Sequence, residues 1–260
     1  MTTAPRRKAA SAPSARAPRP RPPRAGKAGA SSASKSTSAS PQYRRTRRDR
    51  GADTRAQLVE AALDVFGRQG FEGATTREIA AVAGANLAAI VYHFGGKEGL
   101  HIAVAEHIAM SIGARMGPTL AAISGPDAAA TPKSARAALH RLVDTFADVL
   151  LGAEEAERWA RFIVREQMQP TAAFDVIYRF LGGAVTTATR LLATALGREE
   201  DADIRIRVIT MMGQVLVFRV AQTLALRRLG WDAIGDDERR QIKRIVTEQI
   251  DSILDAEQKS

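Results

Sequence analysis

The sequence predicts an all-α chain of about nine helices, arranged as an N-terminal three-helix head carrying a helix-turn-helix and a larger C-terminal helical domain. Three observations carry that prediction. The stretch from Thr75 to Leu100, TTREIAAVAGANLAAIVYHFGGKEGL, holds two short helical segments about a glycine turn and the start of a third. From Pro118 onward there is no period-two alternation of apolar and polar residues, so no strand is indicated. Helix starts and stops recur there instead, at Thr131 before Pro132, Gly152, Pro170, Gly197, Asp201 or Asp203, and Asp236 or Asp237.

The chain begins with a basic tail. Residues 1–50 hold 14 Lys or Arg against one Asp, and since the whole chain carries +10, the remaining 210 residues stand at −3. Residues 1–41 are mostly Ala, Pro, Ser and Arg, which have little to bury, and this predicts disorder. Two readings of that segment stay open, a DNA-seeking arm and a solvated tail. Arg44, Arg45, Arg47 and Arg48 sit just before the first helix. They are candidate DNA contacts, by entering a minor groove or by releasing counterions from phosphates.

The head is expected over residues 51–100. Its first helix is expected over about 53–69, with Val59, Leu63 and Phe66 facing inward. Gly70 should end it, with Phe71 making the hydrophobic contact of a Schellman stop. Thr54 near its start could touch a phosphate or simply be surface. Thr75 and Glu78 have the spacing of a capping box, so a second helix should start there, with Ile79, Val82 and Ala83 on one face. Gly84 permits a sharp reversal and Asn86 can cap the third helix, about 87–94. That is the helix such a motif lays in the major groove. Ile90 and Phe94, four apart, would face the core. Asn86, Leu87, Ala89, Val91, Tyr92 and His93 are then the outward candidates for DNA contact, joined by Thr75, Thr76 and Arg77 from the helix before. Lys97 opens the next helix, where the macrodipole disfavours a cation unless a phosphate lies beside it.

These residues resemble the TetR-type transcriptional regulators. The likeness covers about 54–100: a first helix ending FGRQGFEGATTREIA, the turn AVAGAN, then VYHFGGKEGL with its aromatic and histidine pair, Phe, and Lys after a short turn. GANLAAIVYHFGGKEGL and the later REQMQP are similar to the CecR-like branch of that family. The resemblance implies a cytoplasmic, nucleoid-associated repressor that binds an operator and is released by a small-molecule effector. In one respect the chain departs from it: Leu87, Ala88 and Ala89 stand where many relatives have polar side chains. Contact with thymine methyls and readout of DNA shape should therefore do more of the discrimination.

The rest of the chain, 101–260, is expected to bind ligand and to dimerise. A helix from Lys97 to about Met116 should join it to the head, giving a rigid element rooted in both. The segment from Ile204 to Leu229 is apolar nearly all round, which implies a partner surface. Candidate interface residues are Ile206, Ile209, Leu216, Val220 and Leu224, with Ile242, Ile245, Val246, Ile250 and Ile253 on the last helix. Two copies of this pair would make a four-helix bundle, and two heads on a two-fold axis would read half-sites roughly 34 Å apart.

Trp159, Phe162, Ile163 and Glu166 share one helical face and suggest a pocket. A buried carboxylate there needs a partner, either a ligand or an internal group such as Arg161, Arg165 or Arg219. Phe146, Leu150, Phe174, Tyr178, Met211, Gln214 and Phe218 are further lining candidates, and Gly182 and Gly183 suggest a kink or a close helix contact near them. With no cysteine, four scattered histidines and no glycine-rich phosphate loop, no enzyme, metal or cofactor is expected. No membrane span is expected either, because VITMMGQVLVFRVAQTLAL is interrupted by Gln214, Arg219 and Gln222. The partners expected are double-stranded DNA, a second copy and a small apolar or amphipathic effector. The alternative is a sequence-tolerant DNA-architectural protein driven by its tail, with no ligand.

Overall fold

A computed structural model describes the backbone of residues 41–257 and the side chains of residues 51–256. Among these residues there are ten α-helices and no strand: α1 (Pro41–Gly73), α2 (Thr76–Val82), α3 (Leu87–Phe94), α4 (Lys97–Ile123), α5 (Pro132–Ala147), α6 (Ala156–Met168), α7 (Ala172–Leu196), α8 (Ala202–Val220), α9 (Gln222–Leu229) and α10 (Asp236–Glu257). A short 3₁₀ turn, Pro126–Ala129, precedes α5 and a π turn, Asp148–Gly152, follows it. The two units of the chain are Met1–Pro41 and Gln42–Ser260, and the helical body is the second.

Helix α1 starts well before the expected residue 53. Arg44, Arg45, Arg47 and Arg48 lie on helical backbone, where the sequence suggests an extended arm. Their side chains, and residues 1–40 of the segment 1–41 expected to be disordered, lie outside the described residues. At the other end Gly70 takes φ 76° and kinks the helix, and the chain runs on helically to Gly73. The first three helices bury Leu58, Leu63, Phe66, Ile79 and Ile90 together with Leu100 at the start of α4. Of the apolar positions read at helical spacing, Val59, Leu63, Phe66, Ile79 and Ile90 are buried, whereas Val82, placed on one face with Ile79, is 54% exposed.

Helix α4 is longer than expected. It passes through Pro118, which is exposed, and reaches Ile123, spanning about 40 Å at the usual rise. Its length carries it from the head into the body, where it packs against α5 and α7. The start of α5 is built as the sequence indicates: Thr131 accepts from the Ser134 amide at 3.1 Å, and Pro132 follows. Gly182 and Gly183 are ordinary positions within a continuous α7. A Cβ built on either would meet nothing within 4 Å, so neither a kink nor a close contact explains them.

The expected long helix to Leu229 is two helices. Ala221, at φ −104° and ψ 31°, separates α8 from α9, which turn through 81°. No proline or glycine marks the break, which is why the sequence does not announce it. It lies beside Arg219, whose Nε donates at 2.8 Å to the carbonyl of Leu150 in the π turn.

Helix α10 has the clean apolar stripe expected, yet the stripe faces inward. Ile242, Val246, Ile250 and Leu254 are buried within the chain and Ile253 is half-buried, so these positions do not offer a surface to a second copy. Charge fixes that orientation. Lys243 reaches both Asp144 and Asp148 at 2.8 Å, and Arg136 and His140 on α5 hold Asp251. Ile245 is the exposed member of the set, at 39%.

Candidate DNA interface and ligand cavity

The helix-turn-helix is assembled by local bonds. Thr75 caps α2 by accepting from the Glu78 amide at 3.1 Å. The reciprocal half of the box is replaced: the Glu78 carboxylate accepts from Gln69 Nε2 at 2.6 Å, tying α2 to the end of α1. Asn86 caps α3 by accepting from the Ala88 amide at 2.9 Å. Gly84 and Gly95 take φ 61° and 76°, the turns on either side of α3. Ile90 is fully buried and Phe94 half-buried, with Arg55 stacked over the Phe94 ring at 5.2 Å.

The outward face of α3 is the one the spacing implies. Tyr92 is 84% exposed, Val91 and Leu87 are exposed, Asn86 is exposed at the cap, and Ala89 and His93 are half-buried at the edges. The Tyr92 and His93 rings meet edge to face at 4.9 Å. Thr75 and Arg77 are exposed beside them; Thr76 and Thr54 are half-buried. Lys97 opens α4 as the sequence indicates. It lies over the Phe71 ring at 4.5 Å and donates to the Glu72 carbonyl at 3.4 Å.

In the body, one cavity of about 560 Å³ opens among α4, α5, α6, α7 and α8. Its lining includes Phe146, Leu150, Trp159, Ile163 and Met211 as expected. Six other candidates do not line it. Phe162 and Glu166 face the opposite way. Phe174 stacks on Tyr178, which is 67% exposed, and Gln214 and Phe218 sit half-buried on α8. Ile112, Met116, Leu139, Leu142 and Ala184 line it without having been singled out, because each looks like any other core position in sequence. The wall is almost wholly apolar, with Gln167 its one polar side chain other than the Trp159 indole. Trp159 Nε1 has no hydrogen-bond partner although it is buried, and the Gln214 Oε1 is likewise unpaired. A buried donor left alone is costly, and a ligand acceptor would relieve it.

Glu166 is satisfied internally. It is 3% exposed and accepts from the Thr171 hydroxyl at 2.9 Å and the Thr171 amide at 3.1 Å. Its other oxygen lies 3.5 Å from His101 Nε2, so the partner is neither a ligand nor one of the arginines. His101 itself is packed by the rings of Phe66, Phe71 and Phe162. Burial pushes its imidazole down to about 4, with Lys97 adding to the push, and the 3.5 Å to Glu166 is too long to reverse it.

This cluster sits where head and body meet, and α6 is its pivot. On one face α6 presents Trp159, Ile163 and Val164 to the cavity. On the other, Arg158 binds Glu60 and Asp64 of α1, and Arg165 donates to the carbonyls of Gly67 and Arg68 at its end. His107 on α4 adds a 3.0 Å contact to Glu60. Arg165, one of the internal partners the sequence offers Glu166, holds the end of α1 instead. Among the described residues there is no cluster able to hold a metal ion, and no single helix long and apolar enough to cross a membrane.

A helix-turn-helix head on an all-helical body with an internal cavity defines a transcriptional regulator of the DNA-binding class. Residues 58–104 match the model of the bacterial regulatory proteins of the tetR family, and residues 135–257 match that of the C-terminal domain of the HTH-type transcriptional dual regulator CecR. The chain is 36% identical over 213 residues to the HTH-type transcriptional dual regulator CecR of Shigella flexneri, covering 79% of this chain and 93% of that one. It belongs to the TetR family of regulators, in the CecR group. Solved structures agree on the fold. A transcriptional regulator from Pseudomonas aeruginosa PAO1 superposes with a TM-score of 0.57 at 18% identity over 79% of this chain and 92% of its own. The hemolysin II transcriptional regulator HlyIIR gives 0.52 at 20% identity over 76% and 98%.

Proposed function

We propose that this chain is a homodimeric repressor that reads a palindromic operator through α3 and leaves it when a small, mainly apolar effector enters the body cavity. One observation carries the reading: α6 lines the cavity with one face and grips the end of α1 with the other. An effector that displaces Trp159 or Ile163 would move Arg158 and Arg165, and with them the head. Such coupling requires that the effector bind the two head positions unequally. The cavity supports a neutral or amphipathic ligand, since its wall has no charged side chain to meet a charged one. One acceptor on the ligand would satisfy Trp159 Nε1. On the DNA side, Asn86, Leu87, Ala89, Val91, Tyr92 and His93 read bases. Thr54, Thr75, Thr76, Arg77, Lys97 and the arginines at 44, 45, 47 and 48 hold phosphates. Lys97 would exchange the Glu72 carbonyl for a phosphate on docking. The protein acts in the cytoplasm.

The test is binding to DNA from its own promoter against scrambled DNA across a salt series, with a small-molecule screen for release. Specific binding that survives salt, vanishes in Tyr92→Ala and loses its effector response in Ala184→Phe supports the reading. Binding without sequence preference that collapses as salt rises would show that the basic tail, not α3, supplies the affinity.

A further inference from the structure

A second hollow, polar where the first is apolar, has a volume of about 450 Å³ and lies where the end of α4 meets α5 and α10. Ile123, fully buried, is its floor, and Thr119, Arg141, Thr145 and Thr247 are its polar lining. None of these residues faces the effector cavity or belongs to the DNA-reading head.

Hydrogen bonding along the lining leaves particular valences open. Thr145 spends its one proton on the Arg141 carbonyl at 2.9 Å, so in the 2.9 Å contact between the two hydroxyls Thr119 donates and Thr145 accepts. The Thr119 oxygen then has only lone pairs to offer. Thr247 lacks the bond to the carbonyl four residues back that Thr145 and Thr189 make, and its hydroxyl has no partner among the described residues. The Arg141 guanidinium has none either, although acids lie close by. Asp144, on the same lining, is held by Lys243 at 2.8 Å. Asp251 is held by His140 at 2.7 Å and by Arg136 at 2.8 Å.

The hollow thus presents one unanswered positive charge on a fork of N–H donors, one hydroxyl free to donate, and one that can only accept. A cation would meet Arg141 with its own sign. An inorganic ion is far smaller than the space. A ligand that answers every group carries an oxyanion for Arg141 and Thr247 and a hydroxyl that donates to Thr119. We propose that this hollow is a second small-molecule site, selective for a hydroxylated organic anion, a carboxylate or phosphate on a short polyol chain. Arg141 grips the oxyanion with charge-assisted bonds, and the carbon chain lies on Ile123 and Pro118. A bound ligand ties α4 to α5 and α10 and stabilises the fold by linkage.

Calorimetric titration of the full chain tests this with gluconate, glycerol phosphate, sorbitol and acetate. At least one of the two hydroxylated anions should bind, one per chain, and which of them does identifies the oxyanion. Sorbitol, without the charge, and acetate, without the hydroxyls, should bind about tenfold more weakly or worse. Arg141→Ala should cost the anion a similar factor and leave the unfolding midpoint unchanged, because the side chain is exposed and holds nothing in the chain. Thr247→Val, close in shape, should weaken binding several-fold. Ala184→Phe should not alter it, so this site and the effector cavity fail separately. Absence of binding by both anions at millimolar concentration overturns the proposal. Binding that persists in both Arg141→Ala and Thr247→Val does so too, since it would place the anion elsewhere, on the basic tail for instance. Sorbitol or acetate binding as tightly as the preferred anion overturns the selectivity, the first for charge and the second for hydroxyls.

Discussion

In the head, the side chains proposed to read DNA stand outward on α3, eight residues long; in the body, the corresponding feature is an empty volume walled by five helices. The first is a surface held from behind by one buried residue, Ile90, and two caps. The second exists only where elements distant in the chain come together. A surface site can lose a side chain without loss of stability. A cavity shares its walls with the core, so substitutions there disturb function and folding together. The junction between them, at α6, belongs to both.

The largest effect should come from breaking that junction. Phe162 is fully buried on the side of α6 facing His101, their rings 4.8 Å apart. Phe162→Ala should cost about 3–5 kcal/mol in denaturant unfolding, as large-to-small core changes do. A cost near zero would mean that α6 is not packed on the head as tightly as the contacts imply. The next effect follows from His101. In the folded chain its imidazole titrates near 4, and in the unfolded chain near 6.5. Between those values the unfolded state binds more protons, so stability falls as pH falls from 6.5 toward 4 and levels off below. The total is about 3 kcal/mol. Unfolding midpoints across that range should decline in wild type and decline less in His101→Phe. Parallel profiles for the two would place the acid sensitivity elsewhere.

The same contrast decides how much was legible in the sequence. The head was readable almost residue by residue: Asn86 as cap, Gly84 as turn, Ile90 inward and Tyr92 outward are local facts of spacing and backbone preference. Its exceptions were tertiary. Glu78 prefers Gln69 to the Thr75 amide, and the contacts of Lys97 with Phe71 and the Glu72 carbonyl lie beyond any spacing rule. In the body, helix ends with a proline or glycine beside them were legible, and the unmarked break at Ala221 was not. Phe162 and Ile163 are neighbours on one apolar stripe, yet one faces the head and the other the cavity, because the stripe spans two packing partners. Glu166 was correctly suspect as a buried carboxylate. Its partners, Thr171 and His101, come from the following turn and from α4, and no spacing rule links His101 to it. The α10 stripe shows the limit most plainly: periodicity gives a face, and only packing says whether that face meets its own chain or another.

A smaller effect isolates the surface site. Tyr92→Ala should leave unfolding unchanged within about 0.5 kcal/mol, because the ring is 84% exposed. Operator affinity should nevertheless fall by about tenfold or more, the worth of one good groove contact. An equal loss of stability would make Tyr92 a structural residue and move the reading face of α3 elsewhere.

The smallest effect compares like with like across the two regions. Asn86 and Thr131 are both N-caps, each accepting a backbone amide at about 3 Å, one ahead of α3 and the other ahead of α5. Replacing either by alanine should cost about 1 kcal/mol in unfolding, since the chemistry lost is the same. Their consequences for DNA should differ. Asn86 fixes the first turn of the helix that enters the groove and is itself exposed there, so Asn86→Ala should weaken operator binding beyond its effect on stability. Thr131 lies in the body, ahead of α5, so Thr131→Ala should leave that affinity unchanged. Measured side by side, a matched pair of stabilities with unmatched affinities separates the role of α3 as a reader from its role as a helix. Matched affinities would mean that α3 needs only to be folded, and that recognition rests on the phosphate contacts around it.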